Sequence, residues 1–309
     1  MILSVSRRTD IPAFYSEWFF NRIKEGYVCV RNPMNIHQIS KIALTPNLID
    51  CIVFWSKNPY PMLSRLDELK DYMYYFQFTI NPYDTVLEQQ VPGKKHVIET
   101  FKRLSDLISP DRVIWRYDPI ILTDTISVDY HIKYFEELAK RLHTYTKTCI
   151  ISFLDLYKKT EKNLRGTYSR EPNVDEMMNI AAHISMIASH YGIKIQSCAE
   201  KIELESVGIT HGHCIDSVLI EDLLGVKLVV SKDKNQRPEC GCVQSIDIGE
   251  YNTCCHNCKY CYANFNKEKV GERYVKHNPN SPLLIGEIES DDRVSERKIF
   301  SFISKGSLF

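Results

Sequence analysis

Tyr74-Tyr75-Phe76-Gln77-Phe78-Thr79-Ile80 is an apolar, aromatic run of strand length, followed by Val97, Phe101, Leu104 and Ile108 at the spacing of a buried helix face. Arg112-Val113-Ile114-Trp115 then opens a second strand. The stretch reads as one strand, a crossover helix and a parallel strand, which connects right-handedly in nearly all proteins. Working outward, Ile2 to Ser6, Cys51 to Trp55, Thr148 to Phe153 and Ile193 to Ser197 are further strands. Ile132, Phe135, Leu138 and Leu142 repeat the helical stripe. Asn173 with Glu176 predicts a capping box, and Gly192 stands where that helix ends. Strand and helix thus alternate about six times, which predicts an α/β fold, a full or partial (β/α) TIM-like barrel. Tyr27 to Val30 and Lys227 to Val230 are additional strand candidates. The expected organisation is a barrel over residues 1–230 and a cysteine-rich segment over residues 231–309 packed on its mouth.

With 309 residues and 44% hydrophobic content, the chain can bury one large core. Its 39 basic and 39 acidic residues cancel, so broad attraction to nucleic acid or an anionic membrane is not expected, although a local basic groove would still serve. Arg7 and Arg8 interrupt the N-terminus before a signal-peptide core can form, and no apolar run reaches the ~18 residues of a membrane span. A cytoplasmic protein is expected. Eleven cysteines in such a chain argue for metal ligation over disulfides.

Four of those eleven lie in Thr253-Cys254-Cys255-His256-Asn257-Cys258-Lys259-Tyr260-Cys261-Tyr262-Ala263-Asn264. Cys254, Cys258 and Cys261 read as Cys-x3-Cys-x2-Cys, a loop able to hold three corners of a [4Fe-4S] cubane and leave the fourth iron open. Three thiolates so close repel one another unless a cation or cluster core compensates them. Zinc would need a fourth ligand, for which His256 is the neighbour at hand. Cys255, Cys258 and Cys261 also match the first three ligands of a bacterial ferredoxin run, but Phe265 stands where its fourth cysteine is due.

With Tyr260 before the third cysteine, the loop resembles the Cys-x3-Cys-x-aromatic-Cys motif of radical S-adenosylmethionine enzymes, and Tyr260-Cys261-Tyr262-Ala263 is similar to the motif ending of spore photoproduct lyase. The whole chain resembles a domain-of-unknown-function family with a C-terminal cysteine cluster of this kind. Ser6-Arg7-Arg8-Thr9-Asp10, Phe54-Trp55-Ser56-Lys57-Asn58, Arg116-Tyr117-Asp118-Pro119, Cys198-Ala199-Glu200 and Asp247-Ile248-Gly249 carry that resemblance. It implies a cluster on Cys254, Cys258 and Cys261 that binds S-adenosylmethionine, accepts an electron from a donor such as ferredoxin or flavodoxin, and releases a 5′-deoxyadenosyl radical onto a small-molecule substrate. Tyr260 would pack near the adenine. The Gly-Gly dipeptide that many such enzymes place after their second strand is absent. The lyase likeness makes a nucleic-acid substrate the alternative, and a non-enzymatic iron-sulfur or zinc protein is the other.

Each strand candidate ends in polar residues, and in a parallel barrel these ends share the catalytic face. Arg7, Arg116 and Glu200 lead the catalytic candidates: arginine pairs bidentately with carboxylate or phosphate, and a carboxylate can hold a ribose hydroxyl or an amine. Lys57 and Asp118 follow. Cys29, Cys51 and Cys149 sit in apolar runs as small buried side chains. Cys198, Cys214, Cys240 and Cys242 lie in turn-rich contexts and could together supply four thiolates to an auxiliary iron-sulfur cluster or a zinc ion. Lys232-Asp233-Lys234-Asn235-Gln236-Arg237-Pro238 reads as an exposed, solvated connecting loop or a ligand-contacting turn.

Overall fold

A computed structural model describes residues 1–304. Its strands are β1 (Ile2–Val5), β2 (Tyr27–Asn32), β3 (Asn35–Ala43), β4 (Cys51–Ser56), β5 (Tyr74–Thr79), β6 (Val113–Ile120), β7 (Thr148–Phe153), β8 (Lys194–Cys198), β9 (Thr210–Gly212), β10 (Ile246–Asp247) and β11 (Arg293–Glu296). The helices are α1 (Ile11–Phe14), α2 (Ser16–Glu25), α3 (Lys94–Ile108), α4 (Val128–Leu142), α5 (Lys158–Leu164), α6 (Val174–His190), α7 (Ser217–Leu224) and α8 (Lys267–Val275). Eight strands form one parallel sheet in the order β10-β1-β4-β5-β6-β7-β8-β9. The α/β class and the parallel winding are as expected. The ladder that would close such a sheet into a barrel, between β9 and β10, is not among the pairings of the described residues.

Because successive strands are added on the same side, their right-handed crossovers all fall on one face. Leu3, Val5, Phe54, Phe76, Trp115 and Ile151 point to that face and meet Phe19 of α2, Phe101 of α3, Phe135 of α4 and Ile184 of α6. Trp115 stacks on Phe135 with centroids 4.8 Å apart. The alternate residues Ile2, Cys51, Val53, Tyr75, Ile114 and Ile150 form a second core with α7 and the segment carrying Cys240 and Cys242. Both faces are thus buried, which explains why these strands read as continuous apolar runs.

The capping box forms in both directions: Glu176 N–H donates to Asn173 Oδ1 and Asn173 N–H to Glu176 Oε2, each at 2.9 Å. Gly192 follows α6 in the left-handed region, φ 66°. In α4 the buried face is shifted from the expected stripe, since His131 is fully buried, bonded to Tyr117 Oη and Ile121 O, and Ile132 is only half-buried.

Of the two additional strand candidates, one holds and one needs correction. Tyr27 to Val30 is a strand, as expected, and pairs with β3, which β11 flanks on its other side, in a separate three-stranded sheet. Lys227 to Val230 is not one, since α7 ends just before it and Leu228 makes only an isolated bridge to Ile303. Asp233 in the supposedly solvated connector is buried, 3.6 Å from Arg7 Nη2. No helix among the described residues is long and apolar enough to cross a membrane.

Candidate metal centre at the strand ends

The C-terminal ends of the parallel strands are tied sideways by a belt of polar contacts. Asp247, the last residue of β10, accepts from Ser4 Oγ at 2.7 Å, Ser6 Oγ at 2.6 Å and Arg7 N–H at 2.9 Å. Asp10, after β1, accepts from Ser56 Oγ and Lys57 N–H at the end of β4, both at 2.8 Å. Asn81 and Asp118 exchange side-chain and backbone bonds of 2.8 Å between β5 and β6. Asp118 also accepts from Ser152 Oγ on β7, and Glu200, after β8, accepts from Phe153 N–H at 2.8 Å. Polar residues at these ends are therefore structural partners first, and groups held in place for chemistry second.

The cysteine loop lies across this belt. Tyr15 Oη donates to Thr253 O at 2.6 Å, Tyr262 Oη to Arg7 O at 2.8 Å, and Lys259 N–H to Leu87 O at 2.9 Å. His256, weighed above as a zinc ligand, is instead bound through Nε2 to Asp10 Oδ2 at 2.8 Å, with Phe14 packed edge-on at 4.6 Å. Its Nδ1 is buried without a partner.

Within the loop the cysteines divide. Cys254 is within electrostatic reach of Cys258 and Cys261, and Cys258 of Cys261. Cys255 has none of them among its perturbing charges; burial alone pushes its thiol up to about 11. Burial also pushes Cys258 up to about 12, opposed by the Lys57 ammonium. Backbone N–H groups of Ala263 and Asn264 point at the Cys261 sulfur, and that of His256 at Cys254. Such N–H donors are what anionic, metal-bound thiolates need from their surroundings. Buried Cys258 and half-buried Cys254 and Cys261, with cationic and N–H partners, therefore suit a cluster bound by all three. The fourth cysteine stands aside.

Beside the loop, Glu88 is 2% exposed, 2.8 Å from Lys57 Nζ, and paired with Lys94 as well. Burial alone would raise its pKa, but the two ammonium groups carry it down to about 2. Tyr260 Oη donates to the same carboxylate and accepts from Asn81 Nδ2 at 3.3 Å. The Tyr260 ring meets Tyr83 at 5.8 Å and has Lys57 Nζ 5.5 Å from its centroid. In this structure Tyr260 is therefore an inward-facing anchor. Asp10 is one of the polar residues at the end of the first strand, whereas Glu88 and Lys94 were missing from the sequence-derived candidates; they lie outside any strand end, and no local pattern marks them.

Of the five catalytic candidates, Lys57 alone joins the loop cysteines. Arg116 donates to Asp118 Oδ2 through Nε at 3.1 Å and Nη2 at 2.7 Å, and through Nη1 to Cys214 Sγ at 2.7 Å. Arg7 leans over the Trp55 ring at 5.9 Å and feels Cys214 and Cys242. Glu200 stands near Asp155 and Asp118, and burial raises its carboxyl to about 7. Arg7, Arg116, Asp118, Cys198, Cys214, Cys240 and Cys242 thus form a second neighbourhood, joined to the first through Asp118, whose charge also reaches Lys57.

Among curated proteins, none matches this sequence. A solved structure described as "a putative alpha-L-fucosidase from Bacteroides thetaiotaomicron VPI-5482" is similar at 14% identity over 59% of this chain and 73% of that one, with a TM-score of 0.26, and carries no argument here. The family model described as "Domain of unknown function (DUF1848)" matches residues 2–263, from β1 through the last cysteine of the loop. With the sheet, its belt of strand-end contacts and the cysteine loop all inside that span, the chain belongs to the DUF1848 family.

Proposed function

We propose that this chain is a radical S-adenosylmethionine enzyme whose [4Fe-4S] cluster is held by Cys254, Cys258 and Cys261. The observation that carries the reading is the placement of these three cysteines, with Cys255 excluded, over the C-terminal ends of a parallel sheet beside the half-buried Lys57. When bound, such a cluster supplies one-electron cleavage of the cofactor's sulfonium. The chain's own residues do the rest. Asp10 and His256 fix the loop on β1 and β4, and Tyr260 and Glu88 hold Lys57 toward it. Glu200 and the Arg116–Asp118 pair offer charge and hydrogen bonds to a polar cofactor or a small-molecule substrate. A singly wound parallel sheet is the arrangement that a partial (β/α) barrel has, and the site lies where such folds keep their chemistry. The electron comes from a small donor protein such as ferredoxin or flavodoxin, in a reducing, cytoplasmic setting that suits free thiols.

The test is anaerobic reconstitution followed by chromatography for 5′-deoxyadenosine with a low-potential reductant and S-adenosylmethionine. Slow release without substrate is expected, and none from the Cys254→Ser, Cys258→Ser, Cys261→Ser protein. Reconstituted protein that binds four irons yet neither binds nor cleaves the cofactor would leave an electron-transfer role. A salt-dependent affinity for DNA would move the substrate to nucleic acid.

A further inference from the structure

We propose that Cys198 and Cys214 are a reversible redox pair, a modification site at which a peroxide turns two thiols into one disulfide. Cys198 ends β8, and Cys214 lies two residues beyond β9, the parallel neighbour whose Gly212 stands opposite Cys198. The two side chains are therefore neighbours across one ladder, both as free thiols, and their sulfurs are 3.0 Å apart. That is about 1 Å beyond the length of a disulfide bond, so a small side-chain rotation closes it. No third sulfur joins them, since neither Cys240 nor Cys242 lies within 4.8 Å of both. The close contact is thus between two sulfurs, the unit a disulfide needs and fewer than an ion of the zinc class takes.

The surroundings give the two sulfurs different roles. Arg116 Nη1 donates to Cys214 Sγ at 2.7 Å, and a guanidinium so placed favours the thiolate, which is the nucleophilic form. Cys214 is also fixed from the sheet, its carbonyl accepting from Tyr75 Oη at 2.7 Å and Gln77 Nε2 at 3.0 Å. Its thiolate attacks one peroxide oxygen: the S–O bond forms, the O–O bond breaks, and the hydroxide that leaves takes up the proton Cys214 lost on ionising. Cys198 then attacks the sulfenic sulfur: the S–S bond forms, the S–O bond breaks, and the second oxygen leaves as water with the proton of Cys198. Each sulfur gives up one electron, the peroxide takes both, and a dithiol reductant reverses the change. Access sets the class of oxidant. Cys198 is 9% and Cys214 6% exposed, room for a molecule of two oxygen atoms and little more, whereas Cys51 and Cys149 are 0% exposed among apolar side chains. Oxidation also removes the anionic acceptor of Arg116 Nη1 and leaves it Gln77 Oε1 at 3.4 Å, while Nε and Nη2 stay on Asp118. The charge at the ends of β6 and β8 therefore follows the redox state of the pair.

This inference does not rest on the function proposed for the loop. Its test treats the full-length chain, and separately the triple Cys254→Ser, Cys258→Ser, Cys261→Ser variant, with hydrogen peroxide. Remaining thiols are alkylated in denaturant, and the chain is cut at lysine and read by mass spectrometry without reduction. Cleavage after Lys194, Lys201 and Lys227 leaves Cys198 in peptide 195–201 and Cys214 in peptide 202–227, with no other cysteine in either. These two peptides should be joined in both proteins at about one peroxide per chain and parted by dithiothreitol, with Cys51 and Cys149 alkylated throughout. In Cys198→Ser protein the reaction should stop at a sulfenic acid on Cys214, trapped by dimedone; the cross-link in the unmutated chain is a readout that holds even where this variant does not fold. Failure of the two peptides to join under excess peroxide overturns the proposal, as does Cys214 joined to Cys240 or Cys242 instead. So does sulfinic acid on Cys214 beside a free Cys198 thiol. Iron or zinc retained by the triple variant and lost on adding Cys214→Ser overturns it too, by making Cys214 a metal ligand.

Discussion

Asp10 is a single carboxylate on which three parts of the site converge, and replacing it by asparagine should unpin the cysteine loop. Oδ1 accepts from Ala13 N–H at 2.9 Å, capping α1, and from Ser56 Oγ at 2.8 Å. Oδ2 accepts from Lys57 N–H and from His256 Nε2, both at 2.8 Å. The residue is 5% exposed, so water does not replace a lost partner. An asparagine keeps the first pair and turns its NH2 toward the second, setting donor against donor twice. Each buried donor left unsatisfied costs about 1–3 kcal/mol, which puts Asp10→Asn near 4 kcal/mol. His256 has no cheap escape: moving its proton to Nδ1 frees Nε2 to accept, but Nδ1 is buried without a partner and the unmade bond only changes place. Against a total stability of about 5–15 kcal/mol this is a large loss. Urea unfolding of metal-free protein should show a lower midpoint with an unchanged slope. Limited proteolysis should cut within residues 253–264 sooner in the variant. A change under about 0.5 kcal/mol, the size of an ordinary surface substitution, would refute the claim that Asp10 holds the loop.

Serine at position 254 should abolish the charge-transfer absorption of the reconstituted cluster, while Cys255→Ser should keep most of it; the reverse ranking would move the ligand set to the ferredoxin-like register. Glu200→Gln should change the pH dependence of stability. Burial first, then Asp155 and Asp118, raises the folded-state pKa from 4.5 to about 7, so between those values the native protein keeps a proton that the unfolded chain has lost. The stabilisation is full below about 4.5 and is lost as pH rises through about 7, a swing of up to about 3 kcal/mol at 1.36 kcal/mol per pH unit. Glutamine retains the acceptor for Phe153 N–H without the charge. The variant should therefore gain on the native protein between pH 5 and pH 8 in urea titrations, and a difference that stays constant with pH would count against a buried, protonated Glu200.

What could be read from the residues followed how local each signal is. Thr148 to Phe153 was legible to the residue because a strand buried on both faces is apolar throughout, and the Asn173–Glu176 box because its partners are three residues apart. The ends of the sheet were not legible. β9 and β10 span three and two residues, too short to show periodicity, and β10 is held by Asp247 bonding back to Ser4, Ser6 and Arg7 across the sequence. The same limit divides the two cysteine groups. Cys-x3-Cys-x2-Cys announces itself because one turn-rich loop brings the sulfurs together, whereas Cys198, Cys214, Cys240 and Cys242 meet only after β8, β9 and the entry to β10 are in place. Glu88 makes the complementary point. Nothing around it in the chain distinguishes it from a surface glutamate, and its burial between Lys57, Lys94 and Tyr260 exists because the C-terminal loop returns to cover the ends of β4 and β5.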